Sequence, residues 1–164
     1  MPFINSYGSL HHPILQVVRA SSDSVVSLNT NTWGSNPVGT VNITPQHSSN
    51  LIMIFYTAAI SFNSGNDIVI RLLRNGSEVQ SASNGRNIHG AMQASTGAAN
   101  WFGANATCTF WDEPGTTSQV GYQVQHRPQT GGGGTMYFNA TSATSGGDSW
   151  GCRSFLTLME VSNT

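Results

Sequence analysis

Leu51-Ile-Met-Ile-Phe-Tyr-Thr-Ala-Ala-Ile-Ser-Phe62 is apolar on both faces of an extended strand. Side chains alternate along a strand, so Ile52, Ile54, Tyr56, Ala58 and Ile60 share one side. Leu51, Met53, Phe55 and Ala59 share the other. Phe155-Leu-Thr-Leu-Met-Glu-Val161 repeats the arrangement, with Phe155, Met159 and Val161 opposite Leu156 and Leu158. A strand in an antiparallel sheet usually buries one face and wets the other. Two dry faces need two cores, and a small all-β chain has one of its own. The second face is therefore expected to be covered by another copy of the chain.

Outward from these strands the alternation continues. Ile14–Val18 and Val25–Leu28 flank a Ser-Ser-Asp turn, and Val41-Asn-Ile43 runs into Thr44-Pro45. Proline cannot donate to a ladder, so the strand stops there. Ile68–Arg74, then Asn75-Gly76, then Ser77–Gln80 is a hairpin, because Asn-Gly suits a turn whose two central residues have φ > 0. Residues 83–103 read as a long excursion with a short strand near 88–94. Ala104, Ala106, Cys108 and Phe110 share a face opposite Asn105, Thr107, Thr109 and Trp111. Asp112-Glu-Pro-Gly115 is a turn. Val120, Tyr122 and Val124 alternate with glutamines, Gly131–Gly134 reads as a hairpin tip, and Met136, Phe138 and Ala140 alternate with Thr135, Tyr137 and Asn139. Eight to ten strands, with turn signals every 8–12 residues, predict one antiparallel β-sandwich or jelly roll.

Charged residues make up 8% of the 164 residues, against about 25% in average proteins. There is no lysine; the cations are Arg19, Arg71, Arg74, Arg86, Arg127 and Arg153, and the net charge is −1. Nucleic-acid binding and anionic-membrane binding both need a basic face, and none is visible. Blocks of aromatic and β-branched residues argue against disorder. The N-terminus lacks the charge and apolar run of a signal peptide, so the protein is expected to be made in a cytoplasm and either to stay there or to leave by cell lysis. Cys108 and Cys152 are then expected as free thiols. The Asn-x-Ser/Thr triplets at Asn42, Asn75, Asn105 and Asn139 are expected to carry no glycan.

Several constellations touch chemistry. Gly147-Asp-Ser-Trp-Gly151 resembles the Gly-Asp-Ser-Gly-Gly box of chymotrypsin-like proteases, with His47 or His89 and Asp67 or Asp112 upstream of Ser149. Trp150 stands where the oxyanion approach needs glycine, so a serine hydrolase is only the remote alternative. His11-His12 point to opposite faces of a strand and cannot chelate one ion. No metal site and no cofactor is expected. Asp112-Glu113 and Glu160 are candidate paired carboxylates, but a turn and a strand end suit solvated charges better. No catalytic residue is assigned, and a non-enzymatic role is expected. Trp33, Trp101, Trp111 and Trp150 lie in or beside loops, where aromatics either stack on sugars or plug sandwich ends and interfaces. Trp33, Trp101, Phe102 and Trp150 are the candidate ligand or partner residues.

Four segments, in order, carry a family likeness: Trp111–Ser118, Gly121-Tyr-Gln-Val-Gln125, Gly134–Asn139 and Ser154–Val161. With Val41-Asn-Ile-Thr-Pro45 and the Arg71–Ser77 hairpin, they resemble a family of small phage structural proteins common in cyanophages and other phages of aquatic bacteria. The family pattern has an aromatic-x-Asp-x-Pro turn, a Tyr-x-Val strand, an Asn near the next strand's end and a closing Leu-Met-Glu-hydrophobic. Trp111 departs from the Tyr or Leu often found there, and residues 84–103 match no part of the pattern. The resemblance implies a jelly roll like the heads of tumour necrosis factor and complement C1q, usually a homotrimer. It implies a virion protein: a capsid decoration or cement protein, with a tail-fibre or head-fibre tip that binds host surface glycans as the alternative. Partners would be sister subunits and the major capsid protein or other virion proteins. Candidate trimer-interface residues are Leu51, Met53, Phe55, Phe155, Leu158 and Met159. Residues 1–13 are expected to anchor a single domain spanning 14–164; the roughly forty residues ahead of the resemblance are expected to suffice for an anchor but not for a fibre shaft, which favours decoration over a long tail fibre.

Overall fold

In a computed structural model, residues 13–28, 32–62, 67–79, 91–93, 102–128, 135–140 and 152–163 are described. They form eleven strands: β1 (Ile14–Ser22), β2 (Val26–Leu28), β3 (Gly34–Ile43), β4 (Leu51–Phe62), β5 (Asp67–Arg74), β6 (Ser77–Glu78), β7 (Ala91–Gln93), β8 (Phe102–Asp112), β9 (Val120–Pro128), β10 (Met136–Phe138) and β11 (Ser154–Val161). Every pairing between them is antiparallel, and there is no helix among the described residues. The anchoring arm expected over residues 1–13 lies outside the described residues except for Pro13, whose carbonyl accepts from the Ser162 amide.

The first sheet is built on β4. Along one side it pairs with β8, from Ile52 opposite Asp112 to Phe62 opposite Phe102. Its other side is shared end to end by β11, opposite residues 51–57, and β10, opposite residues 60–62. β1 then pairs with β11, and β2 with β10. Two antiparallel steps make β1 and β2 run in one direction, parallel to β4. The Ser-Ser-Asp segment is therefore a break in one edge, not the reversal expected from its composition. Asn139 fills this break with its backbone in the left-handed region, φ 58°. Its amide donates to Ala59, its Nδ2 to the carbonyls of Ser22 (2.9 Å) and Ser24 (3.0 Å), and its Oδ1 accepts from Ser154 (2.9 Å).

The second sheet runs β3-β9-β5-β6, with β7 also on β5. The Asn75-Gly76 turn takes φ values of 49° and 80°, as the hairpin between β5 and β6 requires. β3 starts well before the predicted Val41. It carries an irregularity between Ser35 and Thr40 where Pro37 sits out of the ladder. There Asn36 Oδ1 accepts from the amides of Val38 and Gly39, and its Nδ2 donates to Val124. A bulge is where a sheet tolerates proline. Asp112–Gly115 does not close a hairpin, because β8 belongs to the first sheet and β9 to the second; the Gly131–Gly134 tip lies outside the described residues.

One hydrophobic cluster joins the two sheets. Ile52, Ile54, Tyr56, Phe110, Leu156 and Leu158 come from the first, and Ile43, Ile70, Leu72, Tyr122 and Val124 from the second. Each such side chain contributes about 1.5–3 kcal/mol on burial. The predicted faces of β4 and β11 hold, with Ile52 to Ile60 inside at 0–1% exposure. The strand most dry on both faces is β5, because Val69 and Leu73 are also buried on its outer side, at 3% and 6%. On the outer side of β4, Leu51 to Ala59 are only half-buried, while Ser61 is buried with its hydroxyl donating to the Ala140 carbonyl. A second dry face therefore does not by itself require another copy.

Candidate functional site

Cross-strand register sets out the outer face of the first sheet in rows. Ile14, Val161 and Leu51 form one, and Val17, Met159, Met53 and Trp111 the next. Arg19, Thr157, Phe55 and Thr109 follow, then Ser21, Phe155, Thr57 and Thr107. Leu51, Met53, Phe55, Phe155, Met159 and Val161 are half-buried; at the margins Ile14, Val17 and Trp111 are 56%, 54% and 56% exposed. No carboxylate stands in these rows. The single cation, Arg19, lies 4.2 Å over the Phe155 ring. The result is an apolar patch on the sheet's central strands, grading into a threonine field.

Five of the six expected interface residues share this patch. Leu158 does not: it points inward and is fully buried in the core, because it is one residue out of phase with Met159. Trp111, Val17 and Ile14 belong to the patch and were not selected from sequence. Alternation with Phe110 already put Trp111 on the outer side. Of the candidate partner residues, Trp33 stands on the second sheet, with the guanidinium carbons of Arg71 and Arg127 at 4.2 and 5.0 Å from its ring centre. Phe102 is placed as backbone, opposite Phe62. Trp101 and Trp150 lie outside the described residues, as do His11, His12, His89 and Ser149. Among the described residues no three of His, Cys, Asp and Glu stand together.

Of the candidate carboxylates, Glu113 is exposed, whereas Asp112 and Glu160 are buried rather than solvated as expected. Asp112 and Glu160 flank Ile52 on either side of β4, roughly 9.5 Å apart at two strand spacings. Each is taken up locally. Asp112 Oδ2 accepts from Tyr122 (2.6 Å) and from Arg74 (2.9 Å), which ties β8, β9 and β5 together at one end. Glu160 Oε1 accepts from Asn50 Nδ2 (2.6 Å) and the Gln46 amide (2.7 Å), and Oε2 accepts from Gln16. Burial alone would raise the Glu160 pKa. The hydrogen bonds from Asn50, Gln16 and the backbone of residues 46 and 47 outweigh burial and hold it below the ordinary 4.5. Both carboxylates act as struts, one binding the Thr44–Asn50 loop to β11, the other joining the sheets.

Two buried titratable groups complete the interior. Cys108 and Cys152 are free thiols, and burial pushes Cys108 up to about 11. His126 was not singled out from sequence, although continuing the Val120-Tyr122-Val124 phase predicts it inside. It is fully buried between the rings of Tyr56 and Phe138, at 5.2 and 4.8 Å between centroids. Neither ring nitrogen has a hydrogen-bond partner, and burial lowers its pKa to about 3.

No family model and no curated protein matches the chain.

Proposed function

We propose that the chain is a phage virion structural protein of the jelly-roll type, a homotrimer that decorates and cements a capsid surface. The observation that carries this reading is the apolar outer face of β4 and β11. The patch lies on central strands, where edge pairing is already satisfied, so its apolar side chains are available for face-on packing. It has no carboxylate, and the Arg19 charge is already placed on Phe155. A second copy therefore buries no unpaired negative charge there.

The strand order supports the fold half of the reading. β1-β11-β4-β8 lies against β3-β9-β5, and the chain crosses between the sheets at β2–β3, β3–β4, β4–β5, β7–β8, β8–β9 and β9–β10, repeated crossings of the kind a jelly roll makes. The motifs behind the phage-protein resemblance also acquire roles. The aromatic-Asp-x-Pro turn and the Tyr-x-Val strand meet in the Tyr122–Asp112 bond, and the Leu-Met-Glu end meets the Ile-Thr-Pro loop at Glu160. Mechanically, trimers seated over capsid-subunit junctions add buried area that resists internal pressure.

Quantitative densitometry of purified virions tests the assignment. A cement protein occurs in hundreds of copies per particle; tens of copies, or absence from the particle, would sink it. Light scattering of the full chain at micromolar concentration tests the trimer, and a monomer there would refute it.

A further inference from the structure

We propose that the outer face of the second sheet is a binding site for a carboxylate-bearing saccharide, centred on Arg127, Arg71 and Trp33. The proposal goes beyond the self-association reading. The two sheets share one core, so this face points away from the apolar patch and stays presented in an assembly formed through the first sheet.

The register puts the parts side by side. Arg127 is opposite Val69, Gln125 is opposite Arg71 and Ser35, and Gln123 is opposite Leu73. Val69 and Leu73 are buried, so the polar side chains stand on a dry floor. Arg71 sends Nε (2.8 Å) and Nη2 (2.6 Å) to the one Oε1 of Gln125, a neutral amide oxygen where a guanidinium fork usually meets a carboxylate. Its remaining donor reaches Glu78 at 3.4 Å.

Arg127 is less provided for. No carboxylate pairs with it among the described residues, and its contact there is the Trp33 ring. Its Nε is buried without a hydrogen-bond partner. An orphaned buried donor is costly, more so on a charged group. Two guanidinium groups thus share one indole, and of the two only Arg71 has a carboxylate beside it. A ligand carboxylate supplies the countercharge that Arg127 lacks.

The neighbours favour a sugar as its carrier. Gln125 Nε2 contacts Gln123 Oε1 at 3.5 Å, and Gln123 Nε2 contacts Ser35 Oγ at 3.2 Å. This row of amides and a hydroxyl both donates and accepts, as hydroxyl groups on a sugar ring require.

The test is calorimetric titration of the full chain with a galacturonate trimer, with maltotriose and inorganic phosphate in parallel. Saturable uronate binding is expected, weakened when salt rises from about 0.02 M to about 0.15 M. Arg127→Gln should weaken it at least tenfold, and Arg71→Gln severalfold. Arg127→Lys, which keeps the charge but not the fork, should weaken it at least threefold and serves if the glutamine variant does not fold. No saturable binding, wild-type affinity in the Arg127 variants, or equal binding of maltotriose would each overturn the proposal. Phosphate binding as tight as uronate would overturn the saccharide assignment.

Discussion

At the residue scale, acid sensitivity separates two buried groups. His126 is neutral in the fold, with its pKa lowered from 6.5 to about 3 by burial. The unfolded chain therefore takes up a proton as pH falls below 6.5 and the folded chain does not. Its contribution is complete above pH 6.5 and is lost toward pH 3, at about 1.4 kcal/mol per unit. Glu160 has the same sign in a lower window: stability is present above its ordinary 4.5 and is lost as pH falls through its depressed folded value. Urea midpoints from pH 8 to 4 should show one slope starting near 6.5 and a second below 4.5. His126→Leu should abolish the first and keep the second; an unchanged slope between pH 6.5 and 4.5 would refute the assignment. Glu160→Gln should lower stability at pH 7 by about 2 kcal/mol, because a charge-assisted bond set is replaced by weaker ones.

At the element scale, the chain repeats one device: a polar side chain closes a gap that strands leave open. Asn139 is the densest case, because four strand ends meet there and no regular ladder can serve them. Asn139→Gly keeps the backbone freedom of the left-handed residue but strands the carbonyls of Ser22 and Ser24 and the buried Ser154 hydroxyl. A loss of about 3 kcal/mol is expected. Asn139→Ala should lose about 1 kcal/mol more, since alanine also dislikes φ 58°. Thermal melts of both variants check the order; alanine equal to glycine would remove the strain argument. Gly121 is a tighter constraint. A Cβ there would stand 2.7 Å from Asn42 Oδ1 and 2.9 Å from the Thr40 methyl, so Gly121→Ala should cost about 1–3 kcal/mol.

The same scale shows what could be read beforehand. Period-two alternation gave the inner and outer faces of β4, β8, β9 and β11, and Asn75-Gly76 gave its turn, because these depend on near neighbours. The start of β3 stayed hidden, since Asn36 and Pro37 belong to a strand only through the bulge that Val124 stabilises from across the sheet. That the Ser-Ser-Asp turn is a break along one edge is not legible locally, because the partners of β1 and β2, β11 and β10, come more than a hundred residues later. Leu158 alternates with Phe155 and Met159, so its place inside was legible in the same phase that puts those two on the patch. The stack of Arg71 and Arg127 on Trp33 joins three strand neighbourhoods, and no local pattern announces it.

At the scale of the whole molecule, the question is which surfaces two outer faces leave for other molecules. The second sheet presents Arg71, Arg127, its glutamines and Trp33 on a face where Val69 and Leu73 are buried, a polar surface suited to a small charged ligand. The first sheet's outer face is apolar instead, and among the described residues no further layer covers Met53, Phe55, Phe155 and Met159, which stay partly exposed. A charge at Met53 or Phe155 therefore tests assembly more than folding. In a monomer, Met53→Asp places a carboxylate on a solvated surface and should cost no more than about 1 kcal/mol. In a trimer closed over this face it buries an unpaired charge, at a cost of about 3–5 kcal/mol per site. Light scattering of Met53→Asp and Phe155→Asp should show loss of the trimer with the far-ultraviolet β spectrum retained. Leu158→Asp, facing the core, should instead lose the fold outright. Unchanged trimer content in both outer-face variants would exclude this surface, whereas joint loss of trimer and β spectrum would show that the patch serves folding instead.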